Sequence, residues 1–168
     1  YGVPMFYAGL YPVVRADDSR FVDRGFEQFN KPEVTFAVLE GNSVTSIAQT
    51  WFPKATLNIL PPSTDNGTYA LQVVTKKSDV MIWDQNGIFQ FNKENKQKLR
   101  IIGGDTPIKL QAFSFAVERN DMILKDWLDN AVLDLINDGT MDHLLRKWEA
   151  EPGKTFLRVA LPFKAASE

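Results

Sequence analysis

The chain has 168 residues, of which 44% are apolar and 24% charged, and its formal net charge is −2. These values are ordinary for a globular domain, and because no basic stripe appears we expect no nucleic-acid partner. The absence of cysteine excludes disulfides and thiolate chemistry, and one histidine, His143, is too few for a histidine-based zinc site. We interpret His143 as a solvated helix residue, and we expect no metal, no cofactor and no catalytic residue. No apolar run approaches the length of a membrane span.

Strand-like and helix-like patterns alternate from the start of the chain. An extended segment is predicted at 6–15, but Pro12 argues against a central strand throughout, because proline cannot donate a ladder hydrogen bond. We then predict a helical stretch at 21–29, strands at 34–39, 55–60, 79–83, 99–102 and 112–117, and helices that start at Asn42 or Ser43, at 69–75 and at 86–95. The first of these helices is expected to turn Trp51 inward. Such alternation predicts an α/β unit with a parallel sheet.

The C-terminal third has a different pattern. Apolar residues keep helical spacing over 123–136, and the Asp-Gly pair at 138–139 is expected to end that helix. A second helix is predicted over 141–148, with its stop at the Pro-Gly pair 152–153 and an extended segment at 156–163. We therefore expect a helical segment to follow the α/β unit.

The first candidate binding feature is the sequence EGNS, residues 40–43, directly after the predicted strand at 34–39. Ligands of open parallel sheets lie beyond the carboxyl ends of the strands. A helix that starts there presents unpaired N–H groups and a partial positive charge, which suit a carboxylate or another anion. An ordinary strand-to-helix turn with a normal cap fits the sequence equally well.

The second candidate feature is Asp84, which follows Trp83 at the end of another predicted strand. Strand alternation predicts that Val80, Ile82 and Asp84 share one face, while Met81 and Trp83 share the other. A carboxylate at a strand end can bind a ligand cation through charge-assisted hydrogen bonds. A cap for the following helix is the alternative role. An anion cradle and a carboxylate on neighbouring strand ends would together hold a zwitterion.

Five segments in order resemble the type 2 periplasmic solute-binding proteins of ABC transporters, in particular the extracellular solute-binding protein family 3. That family binds amino acids and other small polar solutes, and the resemblance runs from about residue 5 to residue 149. The segments are FYAGLYPVVRADD, VTFAVLEGNS, FPKATLNIL, KKSDVMIWDQ and FSFAVERNDMILKDWLDNAVLDLINDGTMDHLLRKWE. The resemblance implies an α/β lobe, with a mostly parallel sheet flanked by helices, and a C-terminal helical segment.

The resemblance also implies a set of ligand-binding residues at two strand ends and one helix start. These are Leu39, Gly41, Asn42, Ser43, Trp83 and Asp84. Asn42 and Ser43 stand at the threonines that bind the ligand carboxylate in the family, and Asp84 stands at the aspartate that binds the ammonium. Trp83 would line the pocket wall. Asn-Ser in place of Thr-Thr leaves the helix N–H groups available, but it changes the hydroxyl contact on which binding of a standard amino-acid ligand depends in the family.

The resemblance divides the chain into three parts. Residues 1–14 correspond to the crossing or hinge segment from a first lobe, 15–111 to the second α/β lobe, and 112–168 to the return crossing, two helices and a tail. Most of the first lobe, with its carboxylate-binding arginine, is therefore expected to be absent, as in a fragment that isolates the second lobe. The apolar stripe of the two helices would lack its usual partner, so we expect it to fold back onto the lobe or to pair with a second copy. The stripe comprises Trp127, Leu128, Val132, Leu135, Leu144 and Trp148.

The function implied is binding without catalysis. A small polar solute, an amino acid or a similar zwitterion or organic anion, would be bound in a two-lobed cleft and delivered to the membrane permease of an ABC transporter. The location implied is periplasmic, or extracellular and lipid-anchored in the full-length parent. Two alternatives stay open: a ligand-sensing domain of a signalling protein, and a cyclic-acid dehydratase of the same fold. For the enzyme, Asp84 and Glu40 are candidate acid/base groups, although nothing in the sequence marks them as a pair.

Overall fold

The computed structural model describes residues 1–104, 106–149 and 155–160. The strands among these residues are β1 (Phe6–Arg15), β2 (Thr35–Leu39), β3 (Thr56–Leu60), β4 (Val80–Asp84), β5 (Leu99–Ile101), β6 (Lys109–Phe113) and β7 (Phe156–Arg158). The helices are α1 (Ser43–Trp51), α2 (Asn66–Val74), α3 (Gln85–Glu94), α4 (Met122–Asn137), α5 (Thr140–Trp148) and a 3₁₀ helix at Phe26–Phe29. The chain divides into two compact units, which we call the α/β unit (Leu10–Lys109) and the helical unit (Tyr1–Gly9 with Leu110–Glu168).

The sheet of the α/β unit has the strand order β3-β2-β4-β1-β5. β2 runs parallel to β3 and β4, whereas β1 runs antiparallel to β4 and β5. The predicted α/β fold is therefore confirmed as a mixed sheet, in which β2, β3, β4 and β5 run in the same direction and β1 is reversed. The other strands all end at one edge of the sheet, which we call the carboxyl edge, and all begin at the opposite one, the amino edge.

Strand alternation divides the buried side chains between two cores, one on each face of the sheet. Phe36, Val80 and Ile82 pack in the core that α1 covers. Ala37 and Met81 pack on the opposite side with residues of α2 and α3. We call these sides the α1 face and the α2/α3 face. Because helices cover both, the central strands carry few polar residues.

The predicted inward position of Trp51 is wrong. Its side chain is 51% exposed and meets the ring of Phe26 edge-on, with 6.4 Å between the ring centroids. Trp51 is the last residue of α1, and the buried residues of this helix, Val44, Ile47 and Ala48, lie in its earlier turns. The next residue, Phe52, lies in the core instead: it is 2% exposed and packs on the rings of Phe29 and Phe36.

The predicted helical stretch at 21–29 is wrong for its first half, since only Phe26–Phe29 is helical, as a 3₁₀ turn. The amide nitrogen of Gln28 donates to the backbone carbonyls of Val22, Arg24 and Gly25 at 2.9–3.0 Å. The Gln28 side chain thus supplies the hydrogen bonds that helical N–H groups would otherwise donate to these carbonyls. The spacing of apolar residues in the sequence does not reveal such a side-chain bond.

Pro12 lies inside β1, between β4 and β5, so the expectation drawn from this proline is wrong. It pairs with Ile82 of β4, and its carbonyl accepts a hydrogen bond from the Ile102 N–H at 2.9 Å on the β5 side. The two backbone groups of a strand residue point to the same side, so the donor that proline lacks would also face β5. β5 ends at Ile101, and the missing donor therefore falls where the ladder stops.

The amino edge of the sheet is closed by a cluster of paired charges. The Asp18 side chain, only 4% exposed, accepts from Arg15 at 2.5 Å and from Arg20 at 2.7 and 3.0 Å. Arg20 also donates to Asp79 at 2.5 Å, and the second oxygen of Asp79 accepts from the Thr35 N–H at 3.0 Å. The hydrogen bonds from Arg20 hold the pKa of the Asp18 carboxyl below its usual range. The cluster therefore joins the end of β1 to the starts of β2 and β4.

In the helical unit, β7 pairs antiparallel with the first residues of β1, and α4 contacts α5. The Asp129 carboxylate of α4 accepts from the Val3 N–H at 2.7 Å and from Lys125 at 2.6 Å. β6, at Lys109–Phe113, begins three residues before the strand predicted at 112–117 and overlaps only its first two residues. The predicted stop at 152–153 and the last part of the extended segment, 161–163, lie outside the described residues.

The apolar stripe of the two long helices is buried unevenly. Val132 is 3% exposed, whereas Trp127 and Trp148 are 66% and 70% exposed. Burial of the stripe within this chain, one of the two expected outcomes, is therefore wrong for these tryptophans. Pairing with a second copy stays a prediction.

Candidate functional site

The predicted anion cradle is the turn between β2 and α1. After Leu39, Gly41 adopts a φ of +72°, a left-handed conformation that favours glycine. Asn42 is the N-cap of α1, and its side-chain oxygen accepts from the Val44 N–H at 3.2 Å. The Ser43 hydroxyl donates to the same oxygen at 3.4 Å. Gly41, Asn42 and Ser43 are all exposed, so the start of α1 is open to solvent at the carboxyl edge, although the next residue, Val44, is buried.

Asp84 is both the last residue of β4 and the N-cap of α3. Its Oδ1 accepts from the Gly87 N–H at 2.9 Å. No further hydrogen bond or ion pair to this carboxylate is recorded in the described part of the chain. The capping role that competed with ligand binding is thus present, but it occupies one of the two oxygens.

Trp83 lies over the first turn of α3. A Cβ atom added at Gly87 would stand 2.3–2.6 Å from three atoms of the Trp83 indole, a separation that no real side chain shows. The sequence Trp83-Asp-Gln-Asn-Gly87 therefore works as one local structure, in which the aspartate caps the helix and the glycine makes room for the indole. Trp83 lines a groove between the starts of α2 and α3, together with Asn66, Asn86 and Gln90.

The structure brings the two predicted features to neighbouring strand ends. β2 and β4 are adjacent and parallel, with Phe36 level with Val80, and such strands lie about 4.8 Å apart. Alternation from Ile82 directs the Cα–Cβ bond of Asp84 to the α1 face, where α1 begins after Asn42, while its Oδ1 bonds back to the Gly87 N–H of α3. Of the six predicted residues, Gly41, Asn42, Ser43 and Asp84 thus share this part of the carboxyl edge.

The side chains of Leu39 and Trp83 point to the other face. Both pack against the core of the α2/α3 face. The family resemblance predicts that both belong to the ligand-binding residues, with Trp83 on the pocket wall. The structure gives these two a supporting position behind the strand ends.

Two residues that sequence analysis did not single out also belong to this region. Asp65, five residues after the end of the neighbouring strand β3, caps α2 by accepting from the Thr68 N–H at 2.9 Å and from its hydroxyl at 2.7 Å. The backbone bond from Thr68 lowers the pKa of the Asp65 carboxyl. Tyr69, in the first part of α2, is buried between β2 and β4. An aromatic residue with a hydroxyl on the inner face of a helix is the signal that could have drawn attention to it.

Two further kinds of feature bear on the class of site: a cluster of metal-ligating side chains and a membrane-spanning helix. Within these residues there is no group of three or more histidine, aspartate or glutamate side chains that could hold a metal ion. None of the helices in this part of the chain is both long and apolar enough to cross a membrane.

No family model matches the chain. Over 76 residues, 45% of this chain and 30% of the relative, it is 32% identical to the amino-acid-binding protein AabA of Dichelobacter nodosus. Its structure is similar to that of an ancestral amino acid-binding protein described as a precursor of cyclohexadienyl dehydratase, with a TM-score of 0.69 and 26% identity over 88% of this chain and 59% of the other.

A second similar structure comes from Wolinella succinogenes. It is assigned as a binding component of an ABC transporter and is complexed with lysine, and it has a TM-score of 0.70 and 22% identity over 88% of this chain and 61% of the other. The chain thus spans less than two thirds of the length of each of these proteins. In agreement with the motif order in its sequence, the chain has the fold of the type 2 periplasmic solute-binding proteins.

Proposed function

We propose that this chain binds a small polar solute, an amino acid or a similar zwitterion, at the carboxyl edge of its sheet as one lobe of a two-lobed cleft. The observation that carries the proposal is the position of an exposed helix start next to a carboxylate on neighbouring parallel strands. The ligand-binding groups would be the first turn of α1, with Gly41, Asn42 and Ser43, and the carboxylate of Asp84. Leu39 and Trp83 would support them from behind.

The caps of the three helices at this edge give the proposed site its polarity. The partial positive charge of a helix N-terminus extends over its first turn. At α2 and α3 the cap is a carboxylate, Asp65 or Asp84, which offsets that charge. At α1 the cap is the neutral Asn42, so its positive end is the one available to a ligand anion. A solute with an anionic and a cationic group therefore fits the pair α1 and Asp84.

The names of similar proteins support the solute class and the destination. One relative is named an amino-acid-binding protein, and one similar structure is assigned to an ABC transporter and holds lysine. By analogy, the full-length parent of this chain would capture its solute in the periplasm, or outside the cell on a lipid anchor, and present it to a membrane permease. Closure of two lobes around the solute is the conformational change expected of such proteins.

We further propose that the stripe on α4 and α5 is the surface on which the facing lobe packs. Large apolar side chains such as Trp127 and Trp148 gain about 1.5–3 kcal/mol each when they are buried, and here they are mostly exposed. Self-association through the same stripe is the outcome proposed for the chain without that lobe. Light scattering tests it, because a strictly monomeric chain with ordered helices would contradict pairing.

Catalysis is not part of the proposal. A dehydratase needs an acid/base pair, and among the described residues no hydrogen bond joins the carboxylates of Asp84 and Glu40. Although one similar structure is described as the precursor of a dehydratase, it is itself named an amino acid-binding protein.

The test compares two helix caps in calorimetric titrations of the full-length parent with lysine, arginine, glutamine and glutamate. Asp84→Ala should weaken the affinity for a bound amino acid roughly 10- to 100-fold, because a charge-assisted hydrogen bond contributes about 1.5–3 kcal/mol. Asp65→Ala is the matched control, since it removes the same kind of cap from the neighbouring helix α2. Equal affinities of Asp84→Ala and wild type would remove Asp84 from the site, and equal losses in both variants would reduce its role to capping.

A further inference from the structure

The two strands that carry the proposed site are joined unusually weakly. β2 shares five paired positions with β3, from Thr35 with Thr56 to Leu39 with Leu60. It shares a single one with β4, Phe36 with Val80. Toward the carboxyl edge, where the candidate site lies, no further pairing between β2 and β4 is recorded.

A side-chain hydroxyl occupies the place of the absent ladder. The Tyr69 hydroxyl donates to the carbonyl oxygen of Ala37 in β2 at 3.1 Å. On the β4 side, it lies 3.4 Å from the Ile82 carbonyl oxygen and accepts from the Ile82 N–H at 3.4 Å. One phenol thus bridges backbone groups that neighbouring strands would ordinarily bond to each other.

Tyr69 is held firmly in this position. Its side chain is 3% exposed and belongs to the core of the α2/α3 face. Its backbone N–H donates to the carbonyl of Asp65 at 2.9 Å, in the first turn of α2. Burial raises the pKa of the phenol, so it stays protonated and able to donate throughout the physiological range.

We propose that Tyr69 is a positioning residue of the candidate site, which sets the separation between the strand end before Asn42 and the strand end at Asp84. This rests on the proposed function. Ala37 and Ile82 each lie two residues before the end of their strand, a distance of about 7 Å along the chain. The bridge therefore fixes the last point at which β2 and β4 are tied before the proposed ligand groups.

The consequence is a prediction about affinity. Tyr69→Phe keeps the ring in the core and removes only the bridging oxygen, so β2 and β4 lose their tie next to the carboxyl edge. We expect the affinity of the full-length parent for its amino-acid ligand, with lysine and glutamine as probes, to fall on the order of tenfold. For comparison, removing a residue that orients the ligands of a metal ion costs about 10- to 100-fold in affinity.

A general loss of stability must be separated from a loss of positioning. Val73→Ala serves as the matched control, because Val73 is fully buried in the same helix and the same core but bonds no strand through its side chain. At temperatures where all proteins are folded, we expect its affinity to equal that of wild type. Equal affinities of Tyr69→Phe and wild type, with Asp84→Ala impaired, would overturn the role of Tyr69 and leave the proposed function standing.

Amide hydrogen exchange supplies a readout that needs no ligand. In Tyr69→Phe, exchange should become faster at the Ile82 amide and over residues 38–43 and 83–87, while Val73→Ala should speed exchange across the whole core. If wild type binds none of the probes, the proposed function fails, and the exchange pattern still decides whether Tyr69 ties the two strand ends. A uniform change in both variants would overturn the positioning role.

Discussion

The two edges of the sheet in the α/β unit treat charge in opposite ways. At the amino edge, the carboxylates of Asp18 and Asp79 are bonded to arginine side chains. At the carboxyl edge, Asp65 and Asp84 are bonded to N–H groups at helix starts, and no ion pair is recorded for either among the described residues. Charges paired with one another stabilise a fold, whereas charges without a counter-ion are available to a ligand. Under the proposed function, the charges that stabilise the fold lie at the amino edge and those that bind the solute lie at the carboxyl edge of the same sheet.

The largest expected effect of a single substitution is at the amino edge. Asp18→Asn removes the charge that two arginines share, and breaking a buried pair costs about 3 kcal/mol or more in the free energy of unfolding. Urea denaturation measures this loss. Asp17→Asn is the control, because Asp17 is 81% exposed and lies 3.8 Å from Arg15, and such a pair contributes less than about 1 kcal/mol. Similar losses in the two variants would show that the amino edge is not the stabilising one.

The same carboxylate predicts how stability depends on pH. The folded-state pKa of Asp18 lies below its ordinary value, so the unfolded chain takes up its proton first as the pH falls. The contribution of Asp18 is therefore complete above about pH 4 and is lost as the pH falls from there through the folded-state pKa. Urea midpoints between pH 7 and pH 2 should decline less steeply in Asp18→Asn than in wild type. If the urea midpoints of both proteins declined equally steeply with falling pH, Asp18 would not be the group responsible.

A smaller effect is expected where Trp83 lies over α3. Gly87→Ala adds a Cβ that the indole leaves no room for, and such overpacking costs about 1–3 kcal/mol, offset by at most about 1 kcal/mol of better helix propensity. Gly67→Ala, in the first turn of α2, meets only the Asp65 carboxylate at 3.1 Å and should be close to neutral. Urea denaturation separates the two, and a neutral Gly87→Ala would show that Trp83 does not depend on this glycine.

Features of the fold that depend on neighbours in the sequence could be predicted, and those that depend on distant partners could not. The cap at Asn42, the face of Trp83 opposite Asp84 and the alternation of strands and helices all follow from local spacing. The burial of Phe52 instead of Trp51 depends on packing with the distant rings of Phe29 and Phe36. The tolerance of Pro12 depends on where β5 ends. The Tyr69 hydroxyl joins α2 to β2, which precedes it in the sequence, and to β4, which follows it. No local pattern predicts that the pairing between β2 and β4 stops after one position.

The last prediction concerns the carboxyl edge, where a substitution of Asn42 should change ligand affinity much more than stability. Asn42→Asp keeps the oxygen that accepts from the Val44 N–H and adds a negative charge at the start of α1. A carboxylate at a helix N-terminus is worth about 0.3–1 kcal/mol, so the free energy of unfolding should rise slightly. The affinity for an amino acid should fall about tenfold, because the new charge repels the ligand carboxylate. Asn42→Ser keeps a neutral cap and should leave both quantities close to wild type.

An Asn42→Asp variant that is more stable and binds less tightly would locate the ligand anion at α1, since capping alone predicts that stability and affinity change in the same direction. Unchanged affinity in Asn42→Asp would instead exclude α1 as the anion site.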